Sequence, residues 1–76
     1  MTDLEIKKLG DTLGKNIKTI MSERKITQKE LAKRVDVSRA TISNIVNGKG
    51  GTASFWTMME IAKEIGTRIE ELYKEV

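Results

Sequence analysis

The most informative part of the chain is residues 27–47, which read TQKELAKRVDVSRATISNIVN. Thr27 and Glu30 have the spacing of a capping box, and this predicts a helix over residues 28–35. Apolar residues recur along one side of that helix at helical spacing. Ala32 is among them and is small, so another helix can approach closely there. This segment therefore predicts a short amphipathic helix with a tightly packed neighbour.

A second short helix is predicted almost immediately afterwards. Ser38 is a good N-cap for it, and we expect it to end at Val46 or Asn47, with Gly48 as the glycine that follows a helix. Asp36 occupies a turn position that usually needs a positive φ, which aspartate tolerates better than most residues. Two such helices joined by a short turn have helix-turn-helix geometry.

A first helix is expected ahead of this pair. A capping box at residues 2–5 favours a helix that begins at the start of the chain. Gly10 and Gly14 each disfavour a helix by about 1 kcal/mol relative to alanine, which leaves open a start at Asp11. In either case we expect the helix to end near Glu23.

A fourth helix is predicted after the glycine-rich residues 48–52. Thr52 or Ser54 caps it, and Gly66 ends it. Trp56 has polar helical neighbours, and we expect it to be partly buried in the core, with an interface as the alternative. The inward face of this helix is expected to consist of Phe55, Met58, Met59, Ala62 and Ile65.

A third capping box, at residues 67–70, predicts a last helix from Arg68 to Tyr73 or beyond. No segment shows the alternation of a β-strand. The expected fold class is therefore all-α, a compact bundle of five helices in one domain. Within the domain of residues 1–76 we distinguish an N-terminal extension (1–10), the helix-turn-helix (28–47) and a C-terminal helix (67–76).

The composition excludes several kinds of function. The chain has 76 residues with no Cys and no His, so disulfides, zinc fingers, thiol chemistry and histidine catalysis are excluded. No catalytic pair is apparent, and we expect no enzyme activity, cofactor, metal or small-molecule ligand. The apolar runs are too short to span a membrane, and the N-terminus does not resemble a signal peptide. A cytoplasmic protein is expected.

The charge distribution is uneven. Residues 1–53 hold 11 basic and 6 acidic residues, whereas residues 54–76 hold 3 basic and 5 acidic residues. A basic region on one side of a small domain favours a polyanionic partner such as nucleic acid. The alternative at this point is a solvated surface with a modest excess of lysine.

The outward face of the second helix of the pair has an unusual composition. At about 100° per residue, Ile42 and Ile45 point inward. Lysine and glutamate, the usual solubilising residues, are absent from the opposite face. Small polar side chains are suited to reading base edges in a major groove, and an ordinary solvated face is the alternative. This outward face consists of Arg39, Ala40, Ser43, Asn44 and Asn47.

The segments 27–32, 37–45, 47–49 and 58–72 together resemble the phage repressor and Cro type of helix-turn-helix domain, an XRE-like, lambda-repressor-like fold. The resemblance covers roughly residues 11–73. It implies a sequence-specific, double-stranded DNA-binding transcriptional regulator, a Cro-like protein or small repressor, or a fragment of a longer one. It also implies a homodimer on a palindromic operator.

The resemblance assigns roles to residues at matching positions. Gln28 lies at the start of a helix, where free amides favour a phosphate. The C-terminal region has more apolar surface than one short helix needs for docking, and Leu72 is expected to dock into the core. The base contacts implied are Arg39, Ala40, Ser43 and Asn44, and the backbone contacts are Thr27, Gln28, Lys29, Ser38, Asn47 and Lys49. The candidates for the dimer contact are Ile69, Tyr73 and Val76.

The chain departs from the family pattern at several positions. Asp36 replaces a turn glycine, and Met21 and Val46 replace an Arg–Glu pair, so an apolar contact is expected there. Residues 50–54 bring no charge to the loop after the second helix of the pair. Two alternatives to a simple regulator remain open: an antitoxin that regulates its own toxin–antitoxin pair, and a protein-interaction module with the same fold.

Overall fold

The computed structural model describes residues 1–75, and in this part of the chain it shows five α-helices and no strand. The expected all-α, five-helix fold is therefore confirmed. None of the helices in the described part is long and apolar enough to cross a membrane. The helices are α1 (Asp3–Glu23), α2 (Gln28–Val35), α3 (Arg39–Asn44), α4 (Phe55–Ile65) and α5 (Ile69–Tyr73), and a π-helical turn, Ile45–Lys49, continues α3.

The capping box at the start of the chain forms, and α1 therefore begins at Asp3 rather than at Asp11. The Thr2 hydroxyl accepts a hydrogen bond from the Glu5 amide at 3.1 Å, and the Glu5 carboxylate accepts one from the Thr2 amide at 2.9 Å. Together they satisfy two of the amides that a helix start leaves without partners. The helix continues through both of its glycines.

The predicted start of the last helix is wrong. The Thr67–Glu70 capping box does not form, because the Thr67 amide bonds instead to the Ala62 carbonyl at 2.9 Å and closes the end of α4. That turn follows Gly66, whose φ of 74° is left-handed as expected for a terminating glycine. Arg68 becomes the N-cap without a side-chain hydrogen bond, and α5 is only five residues long.

The core is a single cluster contributed by all five helices and the π turn. Along α4 the buried side chains recur at the spacing of one helix face. Leu72 of α5 is fully buried, as expected. The buried apolar residues are Leu13, Ile17, Met21, Leu31, Ala32, Ile42, Ile45, Val46, Met58, Ile61, Ala62, Ile65 and Leu72.

Three residues that were expected inside the core lie outside it. Trp56 is 70% exposed, Phe55 is 58% exposed and Met59 is 44% exposed. Met59 is rotated by about 100° from the buried Met58, which places it beyond the inward stripe. Phe55 is the first residue of α4 and packs on Tyr73 at the edge of the core, with 6.4 Å between the ring centroids.

Two polar clasps connect α1 and its C-cap to later parts of the chain, one to α5 and the residues after it and one to the end of α4. Asn16 is buried at 7% exposure, and its amide nitrogen donates to the carbonyls of Leu72 at 2.8 Å and Lys74 at 2.7 Å. The Arg24 guanidinium donates to two carbonyls at the end of α4, those of Ile65 and Gly66. The clasps join segments that are 41 to 58 residues apart in the chain.

Candidate nucleic-acid interface

The turn between α2 and α3 is built as the sequence predicts. Asp36 has φ 61° and ψ 47°, the left-handed conformation that a turn glycine would otherwise supply. The Val37 amide then bonds to the Ala32 carbonyl at 3.0 Å and closes the end of α2. Ala32 itself is buried, so α3 can pack closely across α2.

The start of α3 is capped by Ser38, whose hydroxyl accepts a hydrogen bond from the Thr41 amide at 3.1 Å. The same hydroxyl lies 2.8 Å from the Thr41 hydroxyl. Ile42 is buried against the core, which sets the rotation of the helix. Ser38 was predicted to contact the DNA backbone, but its hydroxyl is already used to cap α3.

The opposite face of α3 is open to solvent. Arg39, Ala40 and Asn44 are all exposed, whereas Ser43 is half-buried. The Asn47 side-chain nitrogen donates to the Ser43 hydroxyl at 3.3 Å. Three of the four predicted base contacts are thus accessible together on one helix face, whereas the Ser43 hydroxyl is engaged by Asn47.

The end of α3 differs from the prediction. The α-helix stops at Asn44 instead of at Val46 or Asn47, and the chain continues as the wider π turn. Gly48, with φ 93°, is the left-handed residue within that turn. The widening occurs where the turn packs against the Gly14 backbone of α1. A Cβ added there would lie 2.8 Å from the Val46 carbonyl oxygen.

The start of α2 presents two exposed side chains, Gln28 and Lys29, at the position predicted for a phosphate. The Thr27 amide and hydroxyl are both engaged with the Glu30 carboxylate, at 3.2 and 3.0 Å. Both hydrogen bonds lower the pKa of Glu30, and the bond from the backbone amide has the larger effect. Because that pKa is lowered, the cap contributes to stability at neutral pH and is lost in acid as Glu30 becomes protonated.

The structure also brings α1 to this surface, which the sequence interpretation did not anticipate. Lys15 and Lys18 line a hollow shared with Asn47 of the π turn. Lys18 also lines a second hollow, shared with Gln28 and with the neighbouring Met21 and Val46. The spacing of three between the two lysines puts them on one helix face, which is the signal that could have found them.

The positive charge of this surface is largely free of internal pairing. Within residues 1–75, two salt bridges occur, Glu30–Arg34 at 3.7 Å and Arg68–Glu70. Arg39 and Lys49 therefore have no carboxylate partner in the described part of the chain. An exposed face with unpaired cations around small polar side chains can bind a polyanion and contact base edges.

Comparison with protein-family models gives one finding that bears on this surface. The model of the Cro/C1-type helix-turn-helix DNA-binding domain matches residues 16–75. The matched part includes α2, α3, the π turn, α4 and α5, together with the second half of α1. Comparisons with curated proteins and with solved structures gave no significant match.

Proposed function

The chain belongs to the Cro/C1-type helix-turn-helix DNA-binding family, and from that membership we propose that it is a sequence-specific transcriptional regulator of the repressor or Cro kind. The recognition helix is α3, which enters the major groove of double-stranded DNA. The observation that carries this proposal is the exposed face of Arg39, Ala40 and Asn44, which has no lysine or glutamate and is surrounded by cations without carboxylate partners.

Selection of bound duplexes from a random pool tests the proposal. We expect one motif to be enriched, with two related half-sites separated by about one helical turn of DNA. Binding should weaken steeply as salt rises, because phosphate contacts release counterions. A pool that shows no enrichment, with no salt-dependent binding, would overturn the assignment and favour an interaction module.

Arg39→Ala is expected to weaken binding to the selected site by about 1–3 kcal/mol and to relax the preference at one base pair. The reason is that a guanidinium can donate two hydrogen bonds to guanine O6 and N7. Lys49→Ala is the matched comparison. Because Lys49 is a predicted phosphate contact, its removal should weaken binding to all DNA sequences alike. Binding measured on the selected duplex and its single-base variants separates the two. A uniform loss for Arg39→Ala would make Arg39 a phosphate contact.

The proposed operator has two half-sites because one copy of the domain covers too little DNA. The domain measures 32 × 23 × 19 Å, so its longest dimension is close to the roughly 34 Å between successive major grooves. A second copy related by a two-fold axis would place a second α3 in the next groove. We therefore propose a homodimer on a palindromic site.

The surface that best suits this dimer is an apolar patch of Phe55, Met59 and Tyr73. Ile69 and Tyr73 were the earlier candidates, and both pack against the core and are half-buried. Val76, the third candidate, lies outside the described residues. Phe55 packs on Tyr73, and Phe55 and Met59, one helical turn apart on α4, are both more exposed than Ile69 and Tyr73. The patch is small, so a dimer that forms mainly on DNA is expected.

Sedimentation with and without an operator duplex checks the dimer. We expect two protein copies per duplex at saturation, and Phe55→Asp with Met59→Asp should leave one copy on each duplex. Leu4→Asp is the comparison, because Leu4 is also exposed but lies on α1, and loss of the dimer in this variant would place the contact on the N-terminal extension instead. A single copy of the unaltered protein on a two-half-site duplex would contradict the dimer. Survival of the dimer in the double variant would move the contact elsewhere, with Trp56 and the Leu4-Ile6-Leu9 extension next to be tested.

A further inference from the structure

Lys18 of α1 lies between two predicted phosphate contacts that are far apart in sequence. On one side it shares a hollow with Gln28, at the start of α2. On the other side it shares a hollow with Asn47, in the π turn after the recognition helix. A DNA strand that contacts both of these residues would therefore run close to Lys18.

The surroundings of Lys18 leave its charge available. Lys18 and Lys15 are both exposed, and neither has a carboxylate within salt-bridge distance in residues 1–75. The hollow toward Gln28 is otherwise lined by uncharged side chains. The hollow toward Asn47 contains one acid, Asp11, one turn of α1 before Lys15. The net charge of the hollow toward Asn47 is thus positive, but Asp11 offsets part of it.

We propose that Lys18, assisted by Lys15, forms a further phosphate-binding site, which contacts the sugar–phosphate backbone between the positions contacted by Gln28 and Asn47. The ligand is a phosphodiester group of double-stranded DNA, so the inference rests on the proposed function. The ammonium group of lysine acts as a compact positive charge on a flexible stem. Such a contact fixes the orientation of α3 in the groove without reading bases.

The first test is the salt dependence of binding to the selected duplex. Each phosphate contact contributes about 0.9 to the slope of log K against log salt, so Lys18→Gln should reduce its magnitude by about that amount. Base preference should not change. Lys63→Gln is the matched control: it removes the same charge from an exposed position on α4 and should leave the slope as it is.

The second test locates the contact on the DNA. Duplexes carrying a single neutral methylphosphonate at successive positions are bound to the unaltered protein and to Lys18→Gln. One neutral position should weaken the unaltered protein several-fold and have no further effect on Lys18→Gln, because the charged partner is already missing. That position should lie between those sensitive to Gln28→Ala and to Asn47→Ala.

Asp11→Asn tests the same site with a substitution that is expected to strengthen DNA binding rather than weaken it. Removing the acid from the hollow of Lys15 and Lys18 should tighten binding to all sequences, and the gain should shrink in the background of Lys15→Gln.

The outcomes distinguish the inference from the function on which it rests. If the unaltered protein selects no duplex, the proposed function fails, and this site fails with it. If it selects a motif, but Lys18→Gln keeps the full salt slope and the same methylphosphonate sensitivity, only the α1 phosphate site is overturned. Circular dichroism and the sequence preference of each variant show that the fold and α3 are intact.

Discussion

Alanine in place of Gly10 or Gly14 is expected to lower the free energy of unfolding by about 1–3 kcal/mol at each position. In an exposed helix the same substitution raises stability by about 1 kcal/mol, so the expected sign is reversed. The reason is the close approach of α1 to the π turn. A Cβ at Gly14 would lie 2.8 Å from the Val46 carbonyl oxygen and 2.9 Å from that of Ile45.

At Gly10 the obstacle is the carbonyl group of Gly48. Backbone atoms cannot rotate aside as a side chain can, so α1 and the π turn must separate. Because both substitutions push against the same turn, the loss in the double variant should be smaller than the sum of the two single losses. Even so, it would be a large part of the roughly 4–11 kcal/mol expected for a domain of this size.

Urea denaturation measures these changes, and Gly50→Ala is the control. Gly50 has an ordinary φ of −89°, and its added Cβ would meet chiefly the Ile45 side chain, at 3.2 Å. A side-chain neighbour can yield, so the effect there should be much smaller. An increase in stability for both Gly10→Ala and Gly14→Ala would contradict the close packing of α1 on the π turn.

Asn16→Ala is expected to lower the free energy of unfolding by about 2–4 kcal/mol, because it removes the donor for two main-chain carbonyls at once. The carbonyls are those of Leu72 and Lys74, and the bond to Leu72 is buried. Asn16→Asp should be worse, since a carboxylate would present only acceptors to the two carbonyl oxygens.

The loss should begin at the C-terminal end of the fold. Amide hydrogen exchange in α5 should accelerate more than exchange in α2, because the clasp holds α5 against α1. Asn44→Ala, at an exposed position, is the control for stability and should change it by no more than about 0.5 kcal/mol. Equal losses for Asn16→Ala and Asn44→Ala would mean that the clasp does not stabilise the domain.

The helix boundaries that the sequence predicted well are those set by short-range hydrogen bonds. Thr27 and Glu30 begin α2, Ser38 caps α3, and Ser54 caps α4. In each case the donor and the acceptor are three residues apart, so the pattern contains the whole interaction. The capping box predicted at Thr67 and Glu70 does not form, because the Thr67 amide is already bonded to the Ala62 carbonyl at the end of α4. A short-range pattern therefore predicts a cap only when its groups are not used by the preceding helix.

The exposure of α4 could not be predicted from periodicity alone. The repeat of apolar residues showed that α4 has an inward face. However, the apolar residues of α4 cover a wider part of its surface than the part that is buried in the core. Which edge of a wide stripe is covered depends on the position of the neighbouring helices, and here Met58 is covered while Met59 and Trp56 are not. The outward face of α3 was predictable because Ile42 and Ile45 define a narrow inward stripe.

The amino-acid order of this protein was enough to establish the helix-turn-helix, its caps, the left-handed Asp36 and the polar face around Arg39, because these depend on neighbours within about one helical turn. Packing between distant segments determined the rest. The clasp of Asn16 on Leu72, the place of Lys18 between Gln28 and Asn47, and the close approach at Gly14 each require two surfaces to meet. No local pattern contains both surfaces, so these features appear only once the helices are packed together.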